Sequence, residues 1–343
     1  MVVKPVFIIA EAGVNHNGDL AMALQLCDAA KNAGADAVKF QTFRAEDLVV
    51  RGAPTAQYQA RQTGYQDQFL MLQRLELSEA QHQRIKAHCD QIGIEFFSTP
   101  FSVEAVDMLV ALGVSRLKLS SGELTHRALV EHAAATQLPL ILSTGMGTMD
   151  EIIEAVGWVR GARGDLHDVV VLHCTSAYPA PDSALNLTAI RSMSGDLALE
   201  IGYSDHSSGI EASLSAVALG ALVIEKHLTL DVTLPGPDHS ASLEPVEFAQ
   251  MVKSIRRVSA MLGDGIKAPL AEELDTARVA RRSVVAGLDI AAGEIVTAEK
   301  LLCRRPATGI APRNLPELIG KRALAAISAG SVLQWSDFEP QIP

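Results

Sequence analysis

Short apolar runs alternate with amphipathic stretches from residue 6 to residue 263. Eight runs read as strands, most of them continuously apolar: 6–13 (VFIIAEAG), 36–43 (DAVKFQTF), 95–101 (EFFSTPF), 116–123 (RLKLSSGE), 139–145 (PLILSTG), 168–176 (DVVVLHCTS), 197–205 (LALEIGYSD) and 221–230 (ALVIEKHLTL). Runs this short and this apolar are expected of parallel strands covered on both faces. The stretches between them carry helical signals. LAMALQLCDAAKNAG closes on Gly34, a helix stop. Ser78 stands three residues before Gln81, and Thr148 three before Glu151, which is the spacing of a capping box. After Thr148, the apolar residues Ile152, Val156 and Val159 share one face. Eight β/α alternations predict an α/β protein with a (β/α)8 TIM barrel.

The pattern breaks twice. Residues 44–77 carry charges, Tyr58, Tyr65 and several glutamines, with little apolar period before about residue 69. A connection of this length in a compact domain is usually functional or disordered, and after the second strand it would lie on the catalytic face. The second break follows the helical stretch EPVEFAQMVKSIRRVSAMLG, which ends near Gly263. The expected division is a barrel over 1–265, a polar linker over 266–280, and a small β-rich module over 281–343 with turns such as AAGE and SAGS. That module is near the lower size limit for an independent core, so it should lean on another surface.

Composition narrows the function. The 343 residues are 48% hydrophobic and carry a formal net charge of −11. The charge argues against general nucleic-acid or membrane-surface binding, so an anionic substrate would need a local basic pocket. No apolar stretch approaches the ~20 residues of a membrane span, and the start has no signal-peptide layout. Cys27, Cys89, Cys174 and Cys303 are scattered without a CxxC, as expected for free thiols in a reducing cytoplasm.

The chemistry-bearing residues gather at the ends of the predicted strands, where barrel chemistry sits. His206 and His227 each close an apolar run. Two imidazoles on adjacent strands suggest a metal with open positions for substrate oxygen. Lys39 and Lys118 also sit near strand ends, close to Ser120, Ser121, Ser143 and Thr144. They read as an anion clamp, with a Schiff-base nucleophile or a solvated surface role as the alternatives. Ser143 and Thr144 lead into a Gly-Met-Gly turn and a helix, whose free N–H groups suit an anion. Glu11 and Glu123 read as general acid/base groups or as lysine ion-pair partners. His16, His126 and His239 are weaker candidates, and His173 inside an apolar run reads as a satisfied core histidine. No nucleotide-binding GxxxxGK[ST] or GxGxxG is present in the chain.

A series of motifs then appears in order: EAGVNHNGD, AVKFQTF, FFSTPF, KLSSGE, LSTGM, HCTSAYP, GYSDHSSG, EKHLTLD, LPGPDHSAS and RRPATGI. Over nearly its whole length the chain resembles the sialic acid synthase family, which includes N-acetylneuraminate and N,N'-diacetyllegionaminate synthases. Its last module resembles the antifreeze-like (SAF) domain. The resemblance implies condensation of phosphoenolpyruvate with an open-chain N-acetylated mannosamine-type sugar, giving a nine-carbon 2-keto sugar acid and phosphate. It implies that His206 and His227 hold a divalent metal, Mn2+ first and Mg2+ or Co2+ otherwise. It implies that Lys39, Lys118, Thr99, Ser121, Ser143 and Ser204 hold phosphoenolpyruvate. Glu11, Gln41, Glu123, Tyr178 and Asp238 would surround the reacting centre or the sugar. Arg305 would reach the sugar's acetamido group from the partner subunit of a domain-swapped homodimer. N-acetylmannosamine is the first expectation for the sugar, and 2,4-diacetamido-2,4,6-trideoxymannose the alternative. Three departures bear on that choice: Ser176 before the Tyr-Pro motif where many members carry Asn, Thr308 in RPATG, and Thr125 and His126 after SGE. A Schiff-base pyruvate aldolase using Lys118, or a non-catalytic sugar-binding protein, are the more distant alternatives.

Overall fold

The computed structural model of the chain describes residues 4–340. Eight strands run in one direction: β1 Phe7–Gly13, β2 Ala37–Thr42, β3 Glu95–Pro100, β4 Leu117–Leu119, β5 Leu140–Ser143, β6 Val169–Cys174, β7 Glu200–Asp205 and β8 Val223–His227. Parallel ladders join them in the order β3-β2-β1-β8-β7-β6-β5-β4, and β3 and β4, at the two ends of that order, lie side by side. This is the expected TIM-type barrel. Strand residues such as Ile8, Val38, Phe40, Phe97, Leu142 and Ile224 are sealed from solvent in one continuous core.

Helices cover the barrel: α1 Leu20–Asn32, then three short helices α2 Ala45–Leu48, α3 Gln57–Thr63 and α4 Gln68–Gln73, then α5 Glu79–Ile92, α6 Val103–Ala111, α7 Arg127–Ala135, α8 Met149–Arg163, α9 Ala189–Leu197, α10 Glu211–Ala218 and α11 Pro245–Leu262. Both capping boxes form. The Ser78 hydroxyl accepts from the Gln81 N–H, and the Thr148 hydroxyl from that of Glu151, each worth about 1 kcal/mol to its helix.

Every predicted run is longer than the strand it contains, and the fourth, seventh and eighth show why. Only Leu117–Leu119 of the fourth pairs, because Ser121–Glu123 turns into a 3-10 helix. The seventh starts at Glu200, since Leu197 still belongs to α9 and Ala198 ends that helix in the left-handed region, at φ 53°. The eighth stops at His227. The connection 44–77 is more ordered than its composition suggests. Met71 and Leu75 pack with Val14 and Phe43 in a small satellite core that pins α4 to the barrel top.

The chain divides into a compact unit ending at Asp264 and a second beginning at Gly265. Within the second, part of the expected linker is helical, as α12 Leu274–Ala280. Antiparallel strands β9 Ser283–Ala286 and β10 Leu301–Arg304 follow. A small core of Val284, Ile290, Val296, Leu301, Leu318, Leu333 and Phe338 holds this unit together.

Candidate active site

Every barrel strand sends at least one side chain into a single cavity of about 480 Å3. They are Glu11 from β1, Lys39 and Gln41 from β2, Thr99 from β3, Lys118 from β4, Ser143 from β5, Cys174 from β6, Ser204 from β7, and Glu225 and His227 from β8. Inward positions recur every second residue along a strand, so register decides which of them meet. Glu11 is in register with Lys39 on one side and His227 on the other. Ser204 is in register with Glu225.

Two lysines and two carboxylates interlock on the cavity floor, each side chain only 3–5% exposed. Lys39 Nζ lies 2.7 Å from Glu11 Oε2 and 3.7 Å from Glu225 Oε2, and donates to Thr99 Oγ1 at 2.9 Å. Lys118 Nζ lies 3.4 Å from Glu225 Oε1, which also accepts from the Ser204 hydroxyl at 2.9 Å. Burial works against the Glu225 carboxylate, but Lys118 and Lys39 outweigh it and hold the group down to about 2. At Glu11 burial wins over Lys39 and pushes the carboxyl up to about 7. Burial also pulls Lys118 below the usual lysine value, with Glu225 opposing it. The cluster is close to neutral overall, so a multiply charged anion bound here needs a further cation nearby.

The histidine pair meets that need. The His206 and His227 rings lie 5.6 Å apart between centroids. Nδ1 of His206 is 2.8 Å from the Thr175 carbonyl oxygen. In the neutral ring Nδ1–H donates to that carbonyl, which leaves the Nε2 lone pair on the side of Ser204 and Tyr178. Burial lowers the His206 pKa, while hydrogen bonding with Cys174 outweighs it and leaves the value raised. His227 is driven well below the usual imidazole value by burial, with the neighbouring His206 adding to the effect. Its Nδ1 is buried without a hydrogen-bond partner and lies 3.9 Å from Asp238 Oδ2. Among the described residues no three side chains of His, Cys, Asp or Glu are grouped to hold a metal, so the pair offers two imidazole donors to a divalent cation and leaves its other positions to substrate and water. Tyr178 roofs the pair: its ring is 4.2 Å from that of His206 and edge-on to that of His227 at 5.8 Å. Tyr58, from α3, stacks on Tyr178 at 5.4 Å. Gly145 packs behind the cavity-lining residues Ser121, Cys174 and Ser176. A Cβ there would come within 2.2 Å of Ser176 Oγ and 2.7 Å of Cys174 Sγ, so only glycine lets the turn after β5 approach this closely.

Most of the residues expected from the sequence are gathered here. Ser121 donates or accepts at Cys174 Sγ and accepts from the Gly145 N–H, and the Ser143 hydroxyl is buried without a partner. Gln41 reaches Glu11 at 3.4 Å, and Asp238 lines the cavity with its carboxyl pushed up to about 6 by burial. Others stand apart. Glu123 does not line the cavity and pairs with His126 Nδ1 at 2.6 Å. His173 bonds the Leu185 carbonyl at 2.8 Å, the satisfied histidine its setting suggested. His16 accepts from the Gly18 N–H, and His239 pairs with Thr229. Arg305 is an exposed residue of the second unit. Glu225, Cys174 and Tyr58 were missed as site residues. Strand alternation was the available signal for Glu225, since it shares a face with His227 in VIEKH.

A barrel whose mouth joins a buried lysine–carboxylate cluster to a buried histidine pair is an enzyme site of the α/β-barrel class. The chain belongs to the NeuB family, whose model matches residues 26–267, and a SAF domain model matches residues 281–339. It is 46% identical to the N,N'-diacetyllegionaminic acid synthase of Legionella pneumophila, over 97% of this chain and 94% of that protein. It is 44% identical to the protein of that name in Campylobacter jejuni, over 93% of this chain and 96% of the other. The crystal structure of an N-acetylneuraminic acid synthetase from Leptospira borgpetersenii, bound to citrate, matches with a TM-score of 0.72 at 38% identity, covering 79% of this chain and 90% of that one. Among the described residues no helix is long and apolar enough to cross a membrane.

Proposed function

We propose that the enzyme condenses phosphoenolpyruvate with open-chain 2,4-diacetamido-2,4,6-trideoxymannose, releasing phosphate and N,N'-diacetyllegionaminate. The observation that carries this reading is the buried Lys39–Glu11–Glu225–Lys118 cluster beside the histidine pair. Lys39 and Lys118 hold the carboxylate and phosphate of phosphoenolpyruvate, taking on the substrate's charge in place of their present partners. Ser143, Thr99 and Ser121 supply the neutral hydrogen bonds. His206 and His227 hold a divalent cation, Mn2+ on the sequence resemblance. When bound, the cation supplies Lewis-acid polarisation of the sugar's aldehyde oxygen.

The methylene carbon of phosphoenolpyruvate forms a bond to the aldehyde carbon, whose oxygen takes up a proton. Water adds to C2, and phosphate leaves with the bridging oxygen by C–O cleavage, restoring the ketone. The water gives up both protons on the way to the ketone: one leaves on the phosphate, and the other must be carried to the sugar's new hydroxyl. Glu11, in the cavity and titrating near 7, is placed to carry it, whereas Glu123 is turned to His126. Tyr58 and Tyr178 exclude bulk water above the histidines.

Two observations favour the trideoxy sugar over N-acetylmannosamine. The Legionella and Campylobacter relatives carry that specificity in their names. The cavity is also lined by Ala56, Met71, Leu72, Leu75, Phe101 and Met146, which suits a C6 methyl better than a hydroxyl. By resemblance, we further assign Arg305 to the acetamido group bound in a partner subunit's barrel, and the enzyme to the cytoplasm. The test is phosphate release, with product mass, across N-acetylmannosamine, its 6-phosphate and the trideoxy sugar. The trideoxy sugar should give the highest kcat/KM. A preference for N-acetylmannosamine would overturn the sugar assignment and leave the reaction standing.

A further inference from the structure

Directly behind the histidine pair lies a second charged pair that touches neither the cavity nor any substrate position. Asp205 and Lys226 precede His206 and His227, so alternation turns them to the outer face of the sheet, toward α10. They are cross-strand partners in the β7–β8 ladder. Lys226 Nζ lies 3.0 Å from Asp205 Oδ2, and both side chains are completely buried. Each Asp205 oxygen has two partners, and Lys226 has two. Asp205 Oδ1 accepts from the Ser207 N–H at 2.9 Å and from the Ser207 hydroxyl at 2.6 Å. Asp205 Oδ2 accepts from the Ser213 hydroxyl of α10 at 2.6 Å. Lys226 Nζ donates to the Ser207 carbonyl.

Elsewhere this layer between strands and helices is mostly apolar, as with Val38 and Ile224, and the hydrogen-bonded set of Thr42, Ser98 and His82 within it contains no ion pair. A well-packed apolar pair of similar size generally holds a fold at least as well as a buried ion pair. What an apolar pair cannot do is grip Ser207. Asp205 and Lys226 together bind its N–H, its hydroxyl and its carbonyl, and Ser207 is the residue after His206. The pair therefore fixes the backbone on both sides of His206 and ties it to the strand that carries His227. We propose that Asp205 and Lys226 are positioning residues that set the separation and aim of the two metal-holding histidines. This rests on the metal reading given above.

The experiment uses full-length protein, stripped with chelator and titrated with Co2+, read by its visible absorption and apparent Kd. Wild type and His206→Ala come first. Co2+ uptake lost in His206→Ala supports the metal reading, and its absence from wild type overturns that reading and this inference together. The double variant Asp205→Leu/Lys226→Met then removes both charges without stranding either. It should fold, weaken Co2+ binding by about 10- to 100-fold, as loss of groups that orient metal ligands does, and shift the Co2+ spectrum. At saturating metal its kcat should fall more than its KM for phosphoenolpyruvate changes. A folded double variant with the wild-type Kd and spectrum, beside a wild type that binds, would show the pair to be structural only and overturn the inference alone. Ser213→Ala removes one hydrogen bond to Asp205 and strands no charge. Should the double variant fail to fold, this variant decides: a raised Kd with an altered spectrum supports the inference, and unchanged values overturn it.

Discussion

Glu225 places one carboxylate oxygen 3.4 Å from Nζ of Lys118, with both side chains almost fully buried. Glu225 therefore opposes the burial that draws Lys118 toward its neutral form, and it is a partner that a substrate anion can replace. Phosphoenolpyruvate should meet a preformed socket. Lys118→Met or Lys39→Met removes one charge-assisted contact, worth roughly 1.5–3 kcal/mol. Steady-state kinetics should show the KM for phosphoenolpyruvate raised about tenfold or more, with the sugar's KM changed far less. A larger effect on the sugar's KM would show the clamp is misassigned.

Glu11 gives a pH signature. Its carboxyl titrates at 4.5 when unburied and near 7 in the fold, because burial outweighs Lys39. A group raised on folding adds stability below its unfolded value and loses it as pH rises through its folded value. Glu11→Gln cannot ionise and escapes that loss. Its stability relative to wild type should therefore rise between about pH 4.5 and 7, by up to ~3 kcal/mol at 1.36 kcal/mol per pH decade. Urea melts at a series of pH values would measure it. A flat difference would mean that Glu11 is ionised throughout.

Lys118 is buried and shifted toward its neutral form, which makes it the lysine to test for imine chemistry. The condensation forms no imine. Incubation with pyruvate and borohydride should leave the mass of the chain unchanged, with activity retained after dialysis. A stable adduct on Lys118 would favour a Schiff-base aldolase instead.

The assignment of Arg305 to a partner's site makes a separate prediction. Co-expressing an Arg305→Ala chain with a His206→Ala chain gives half the dimers as heterodimers, each with one intact site. About a quarter of wild-type activity should return. Purified heterodimers as inactive as either mutant alone would refute the swapped arrangement.

Much of this was legible in the sequence because the fold is regular. Eight apolar runs announced eight parallel strands, and Ser78 and Thr148 marked helix starts where they occur. The same regularity put His227 at the carboxyl end of its strand, whereas Lys39 and Lys118, expected near strand ends, lie inside β2 and β4. Glu225 was hidden by its place between two apolar residues and Lys226, where a lone acidic residue looks like the lysine's neighbour. Its role appears only when register sets it beside Ser204 and between two lysines contributed by other strands. Tyr58 was hidden for the opposite reason. It lies in the polar connection 44–77, and only tertiary packing stacks it on Tyr178, 120 positions along the chain. Glu123 looked like a strand-end acid, but the strand stops at Leu119 and the 3-10 turn carries Glu123 to His126.

The most direct test of the account is phosphate release from phosphoenolpyruvate with 2,4-diacetamido-2,4,6-trideoxymannose. It would be measured on chelated enzyme before and after addition of Mn2+, for wild type, His206→Ala and His227→Ala. The account predicts no turnover after chelation, recovery with Mn2+ in wild type alone, and folded but inactive histidine variants by circular dichroism. Sustained turnover by exhaustively chelated wild type, or by either histidine variant, would contradict it.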